Sequence, residues 1–332
     1  MPPDSMQKQA DPGAAMPAAG PRWALPATDA VLIEAAGVAD RSTRCNGRKV
    51  PAVPVSPGQS VSAFRVAPQT ASSSCAVAIM AKASVAGAVK TRLVPPLTYE
   101  EAAAFNTCCL SDIAANVIAA AQIEPIQAFV AYSPPGSEPF FATLLPDLQL
   151  LPPKEPTIGR SLVHAAQRLF AAAYSSVCLI NSDSPTLPTR VLVEAVRDLR
   201  RPGDRVVLGP AADGGYYLIG LKQFHRRLFE DIDWSTERVF QQTIARAAEI
   251  GLAAAVLPEW YDVDDDQALA ILAHELFRGS GAAAVAAVYE DGYPAPRTAA
   301  FLRKLLATNG GLRQFLENSA ASKAADFVPR SG

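Results

Sequence analysis

An aspartate at the end of a buried strand is the first residue in this chain placed to do chemistry. Asn181-Ser182-Asp183-Ser184-Pro185 directly follows the apolar run Val177-Cys178-Leu179-Ile180. A short run so rich in β-branched and aliphatic residues predicts a strand buried on both faces. Pro185 stops it and turns Ser184 away from helix. Asp183 is then held at the carboxyl end of a central strand, where open α/β sheets place their ligands. A carboxylate there is a hard-oxygen ligand suited to Mg²⁺ or Mn²⁺ carrying a phosphorylated substrate. The plain alternative is an Asp capping the helix expected from about Pro188.

Three further stretches carry suitable residues. Ala81 to Leu93 is a loop of small residues with three cations, Lys82, Lys90 and Arg92, and a glycine, Gly87. Small residues let a backbone approach a ligand closely, and the cations suit the phosphates of a nucleotide. The loop lacks the spacing of a P-loop, and a solvated basic loop would look the same. Gly209-Pro210-Ala211-Ala212-Asp213-Gly214-Gly215-Tyr216-Tyr217 follows the apolar run Val206-Val207-Leu208. Asp-Gly-Gly serves equally well as a simple turn or as a site with room for a sugar and Asp213 to accept its hydroxyls. In Asp262-Val263-Asp264, alternate residues of an extended segment put two carboxylates on one face. Helix capping is the competing role, which Asp265 or Asp266 would satisfy alone. In Trp234-Ser235-Thr236-Glu237, Ser235 or Thr236 is the expected N-cap of a helix, and Trp234 is placed to line a pocket.

The elements that must position these residues alternate between strand and helix. Strands are expected at 76–80, 127–132, 177–181, 205–209, 216–221 and 253–257. Helices are expected at 98–122, 159–174, 188–200, 237–250 and from about 266. Thr98 is the expected N-cap of the first helix, with Glu100 and Glu101 at the positive end of its dipole. Gly251 closes the helix at 237–250. This alternation predicts an α/β fold with a mostly parallel sheet covered on both faces. Residues 1–74, dominated by Pro, Ala, Ser and Gly, read as a low-complexity, disordered arm. Residues 75–279 form the organised domain. Residues 280–332 read as a peripheral extension with one amphipathic helix at 297–308.

Composition limits the remaining classes. The chain is 49% hydrophobic and 19% charged, with a formal net charge of −2. That suits a globular protein and gives no support for nucleic-acid binding. No uninterrupted apolar segment reaches the roughly 18–20 residues that span a bilayer. The N-terminus lacks the compact apolar core of a signal peptide, so no membrane partner and a cytoplasmic location are expected. The five cysteines contain no C-x-x-C pair, and the three histidines have no metal-binding spacing. Reduced thiols are therefore expected. Nothing in the sequence sets an oligomeric state.

Taken together, Lys82 to Leu93, Ser182 to Pro185, Leu208 to Gly220, Trp234 to Glu237 and Asp262 to Asp264 resemble the bacterial GT-A-fold glycosyltransferases of the arsenosugar-biosynthesis type. That group is also described as radical-SAM/selenodomain-associated transferases. The resemblance spans about residues 75–272 and is most specific in Asp213-Gly214-Gly215-Tyr216-Tyr217-Leu218-Ile219-Gly220. It implies a nucleotide-diphospho-sugar transferase fold, a three-layer α/β/α sandwich with one antiparallel strand. It implies Asp183 as the metal-binding carboxylate, with Asp262 and Asp264 at the place of a second. It implies Lys82, Gly87, Lys90 and Arg92 on the nucleotide side. Gly214, Gly215, Trp234, Thr236 and Glu237 fall on the substrate side, and Asp213 is a catalytic candidate. The family's first loop often reads Pro-x-Pro-Gly, whereas Ser84 and Ala86 stand at the proline positions here.

The expected activity is a metal-dependent transfer of sugar from a nucleotide-diphosphate donor to a small-molecule acceptor. The alternative is a nucleotidyltransferase similar to the 2-phospholactate or molybdenum-cofactor guanylyltransferases, which share the fold and a basic first loop. A non-catalytic nucleotide-sugar sensor is the reading from a different class, and the retained carboxylates and cations give it no support.

Overall fold

The computed structural model describes residues 74–152, 157–277 and 291–326. The expected N-terminal arm lies outside them except for Ser74, as do Cys45, residues 278–290 and the last six residues. The described chain runs β1 (Cys75–Lys82), α1 (Tyr99–Ala121), β2 (Ile126–Ser133), α2 (Glu138–Leu144), β3 (Gln149–Leu151), α3 (Ile158–Ala171), β4 (Ser176–Ile180) and α4 (Thr189–Arg200). It continues through β5 (Arg205–Pro210), β6 (Tyr216–Leu221), α5 (Val239–Glu249), β7 (Ala253–Val256), α6 (Asp266–Leu276), α7 (Pro296–Thr308) and α8 (Gly310–Asp326).

The seven strands form one sheet in the order β3-β2-β1-β4-β6-β5-β7. Every pairing is parallel except those of β6, which runs antiparallel to both β4 and β5. The expected single antiparallel strand is therefore β6.

The period-2 alternation of a strand divides the core in two. Val77, Ile79 and Ala81 of β1 pack with α1, α4 and α6 on one face, where Phe105, Val117, Leu192 and Leu199 are buried. Ala76 and Ala78 face the other way, onto α3 and α5, with Leu162, Leu169 and Ala247. This is the expected three-layer α/β/α arrangement. The central strand β4 is buried at all five positions, as its uninterrupted apolar run predicts.

Helix α1 is long and apolar enough to cross a membrane by length and composition, although Glu100, Glu101, Asn106 and Asp112 interrupt its apolar residues. Its most apolar window is 67% buried inside the protein, so it is a core helix. Thr98 caps it through a full capping box with Glu101.

The segment expected to be peripheral is docked. Asp112 of α1, buried, accepts the backbone N–H groups of Arg297 and Thr298 at 3.1 and 2.7 Å, satisfying the first turn of α7. Leu302, Leu305 and Leu312 join the core on the α1 side. Helix α2, strand β3 and helix α8 are additional to the elements expected from the sequence.

Candidate functional site

The site lies at the carboxyl ends of β1, β4 and β5, where β6 begins. The basic loop, the Asp183 stretch and the Asp-Gly-Gly stretch leave these strand ends, as the switch-point rule for α/β sheets predicts. Asp262–Asp264 lies on the β7–α6 loop, and 234–237 lies ahead of α5.

After β1 the loop folds back on itself. Ala83 N–H bonds to Ser133 O at 2.8 Å, and Asn106 of α1 donates to Ser84 Oγ at 2.8 Å. Gly87 takes a positive φ of 75°. Lys90 stands in the left-handed region, φ 49° and ψ 35°, ahead of a 3₁₀ turn at Thr91–Leu93. Leu93 is fully buried and anchors the turn. This places the Lys90 side chain, only 4% exposed, against the other loops.

Lys90 Nζ donates to Asp183 Oδ1, to Asp264 Oδ1 at 3.0 Å and to Val263 O at 2.8 Å. An ammonium has three donors, and all three are used. Burial works against its charge, but Asp183 and Asp264 outweigh that and raise its pKa above the ordinary lysine value. Lys90 was expected to serve the nucleotide. Here it ties the β1–α1 loop to two acidic loops.

Asp183 is not a helix cap, because α4 begins at Thr189 with Pro188 as its N-cap and no side-chain cap bond. Its carbonyl accepts Val263 N–H at 2.8 Å, lashing the last loop to the end of β4. Asp265 caps α6 through Ala268 N–H at 2.8 Å. Capping is thus met without Asp262 or Asp264, and both remain on the cleft wall.

The Asp-Gly-Gly stretch is a turn and a cleft wall together. Asp213 Oδ1 accepts Gly215 N–H at 2.8 Å, closing the turn. Gly214, at φ 87°, lies so close to residue 237 that an added Cβ would sit 2.2 Å from Glu237 O. Its own carbonyl accepts Phe240 N–H at 3.0 Å, which fixes segment 234–240 beside the site.

These loops enclose a cleft of roughly 620 Å³, within the range of about 300–1,000 Å³ usual for small-molecule sites. Asp183, Asp213, Gly215, Asp262, Asp264, Lys90, Arg92, Trp234, Thr236 and Glu237 all line it. Lys82 and Gly87, expected on the nucleotide side, do not. Lys82 Nζ instead donates to Ala88 O at 2.8 Å and braces the loop from outside. Gly214 also lies off the wall and acts through its contact with residue 237.

The expected N-cap at Ser235 or Thr236 is not formed. Ser235 adopts φ 65°, Thr236 Oγ1 donates to Asp233 O at 2.7 Å, and α5 starts at Val239 after Arg238. The left-handed turn at Ser235 delays the helix by two residues. Met80, Thr91, Ile158, Leu162, Asn181 and Tyr216 also line the cleft, although no site role was expected of them individually. Tyr216 follows the Asp-Gly-Gly stretch directly, which was a usable signal. An exposed Ile158 on the first turn of α3 leaves no mark in the sequence.

The charge balance is acidic. Burial, and then Asp213, Asp264 and Asp183, push the Asp262 carboxyl up to about 7. Among the described residues, no three His, Cys, Asp or Glu side chains gather closely enough to cage a metal ion. Asp183, Asp262 and Asp264 are therefore no ready-made ligand set, since Lys90 occupies the space between Asp183 and Asp264. The donor chemistry still fits Mg²⁺ or Mn²⁺ of the kind held by one or two carboxylates and completed by substrate phosphates.

Residues 116–236 match the model of a family described as "Uncharacterized protein conserved in bacteria (DUF2064)". No curated protein matches the chain. Among solved structures, a protein from Desulfovibrio desulfuricans G20, described by inference as a nucleotide-diphospho-sugar transferase, is 28% identical with a TM-score of 0.61. The match covers 73% of this chain and 97% of that one. The CMP:2-keto-3-deoxy-manno-octonic acid synthetase complexed with CTP is more distant, at 12% identity and a TM-score of 0.39 over 61% of this chain and 100% of that one. So is glucosyl-3-phosphoglycerate synthase from Mycobacterium tuberculosis, at 12% and 0.38 over 58% and 72% of the two chains. These two carry nothing about chemistry. The first likeness and the sheet order agree, and the fold is that of the nucleotide-diphospho-sugar transferases.

Proposed function

We propose that this chain transfers a sugar from a nucleotide-diphosphate donor to the hydroxyl of a small-molecule acceptor with the help of a divalent cation. Transferase chemistry follows from the likeness to the Desulfovibrio protein. The single observation that carries the finer reading is the convergence of four carboxylates, Asp183, Asp213, Asp262 and Asp264, on one cleft whose rim carries Arg92. An acidic floor under a cationic rim suits a metal-bound diphosphate better than any uncharged ligand.

Asp183, with Asp262 or Asp264, would hold the cation, which when bound offsets the charge of the diphosphate as it leaves. Arg92 is assigned to the donor phosphates, for which its planar fork of donors is suited. Lys90 sets the positions of Asp183 and Asp264 and limits the negative charge of the floor. In the transfer, the acceptor oxygen bonds to the anomeric carbon, and the bond from that carbon to the diphosphate breaks. The nucleoside diphosphate departs with the electron pair. The hydroxyl proton passes to a carboxylate, and Asp213, which is exposed and makes no bond to Lys90, is the candidate.

The organised domain at 75–279, the arsenosugar-type subfamily and a cytoplasmic setting belong to the same proposal. The test is incubation with a panel of sugar nucleotides, with and without Mn²⁺. Release of nucleoside diphosphate only with metal is the expected result. Release of pyrophosphate from nucleoside triphosphates would replace the reading with nucleotidyl transfer.

A further inference from the structure

The cleft has two chemically different ends. Among the described residues that line it, the only cations are Lys90 and Arg92, both on the β1–α1 loop. That loop is anchored by Leu93 in the core on the α1 side of the sheet. Met80, Leu162, Tyr216 and Trp234 belong to the core on the other side, toward α3 and α5. Ile158, 45% exposed, adds an unshielded aliphatic group there.

The rings of Trp234 and Tyr216 meet edge to face, 6.4 Å apart at 83°. The Tyr216 hydroxyl is shielded from solvent and has no hydrogen-bond partner among the described residues, and the residue itself lines the cleft. The Trp234 ring rests over Gly159, where an added Cβ would lie 2.3 Å from Nε1. Glu237, three residues beyond Trp234, and Asp213, three before Tyr216, are the acidic lining residues nearest to this pair along the chain.

A diphosphate needs cations, and this end has none among its described lining residues. We propose that the aromatic end is the acceptor subsite, and that the acceptor is an unphosphorylated, neutral or cationic ring compound lying with its apolar face on Trp234 and Tyr216. The inference rests on the sugar-transfer reading and names its substrate class. A phosphate on the acceptor would be set against Glu237 and the four carboxylates without a counter-charge, which is discrimination by repulsion. A cationic acceptor would instead gain from the ring faces.

The test uses the full chain with Mn²⁺, an active sugar nucleotide, and phenyl β-glucoside paired with its 6-phosphate. The neutral member should show a KM lower by about tenfold or more. Trp234→Ala and Gly159→Ala should each raise that KM by about tenfold, with the donor Kd by calorimetry unchanged. Trp234→Phe should recover most of the loss. Gly159→Ala displaces the ring without deleting it and so covers the case in which Trp234→Ala does not fold. Preference for the phosphorylated member would overturn the proposal, as would variants that weaken donor binding and leave acceptor KM alone.

If no sugar nucleotide turns over with the wild type, the transfer reading itself falls. The shelf is then read by saturation-transfer NMR with phenyl β-glucoside. Signal from wild type but not from Gly159→Ala upholds it, and equal or absent signal in both refutes it.

Discussion

Replacing Lys90 by Met keeps the aliphatic stem and deletes the charge that joins three loops. Removing one partner of a buried ion pair costs about 3–5 kcal/mol, because a charge is stranded. Here the stranded partners are not fully buried, since Asp183 and Asp264 keep 29% and 50% side-chain exposure. Water therefore recovers part of the loss, and wholly exposed pairs contribute only about 0–1 kcal/mol. The expected destabilisation of Lys90→Met lies between these limits, at about 2 kcal/mol. For a domain of this size that corresponds to a fall in Tm of about 4–8 °C. Scanning calorimetry at low salt reads it. The same variant should bind Mn²⁺ more tightly by calorimetric titration, because four carboxylates then share no internal cation. A Lys90→Met protein with wild-type Tm and Mn²⁺ affinity, deficient only in nucleotide binding, would refute the tether and return Lys90 to the donor phosphates.

Other substitutions probe the remaining parts. Asp183→Asn should lower metal-dependent turnover by about 10²-fold or more, with an unchanged circular dichroism spectrum; full activity at saturating substrate would remove Asp183 from the mechanism. Gly214→Ala should destabilise by about 1–3 kcal/mol from backbone strain, with further loss from the clash at Glu237, and a wild-type urea midpoint would contradict that. Glu124 takes Arg197 and Arg200 of α4 at 2.6 and 2.8 Å, and the Arg197 hydrogen bond leads in holding its pKa below the ordinary 4.5. A depressed folded pKa adds stability that is present above about pH 4.5 and is lost as the pH falls through the folded value. Glu124→Gln should therefore lower the urea midpoint at pH 7 and narrow its difference from wild type at pH 3; a constant difference across that range would show the pair contributes nothing through charge.

Much of the scaffold was legible because burial and period agreed. β6 begins and ends where its apolar run does, β4 reads as a doubly buried strand, and Thr98 announces α1 as its N-cap. Asp183, Asp213, Asp262 and Asp264 were legible as strand-end carboxylates and do face one cleft.

What escaped the sequence depends on loop backbone. The turn of Lys90 into the acidic floor follows from a left-handed residue that no composition signals. Ser235 adopts the same region and moves the start of α5. Lys82 and Lys90 look equivalent in sequence, yet one braces its own loop and the other crosses to two distant ones. Strand β7, Ala253–Val256, has three exposed positions of its four, so only its place after Gly251 and the pairing with β5 mark it. The docking of α7 was hidden because its anchor, Asp112, lies inside a helix 185 residues away.

Calorimetric titration of UDP and GDP into wild type and Asp183→Asn, each with Mn²⁺ and with EDTA, tests the central claim most directly. Binding by wild type with Mn²⁺, abolished by EDTA and by the substitution, is the outcome the acidic floor requires. Equal affinity in all four conditions would mean that the carboxylates do not hold a cation for the diphosphate.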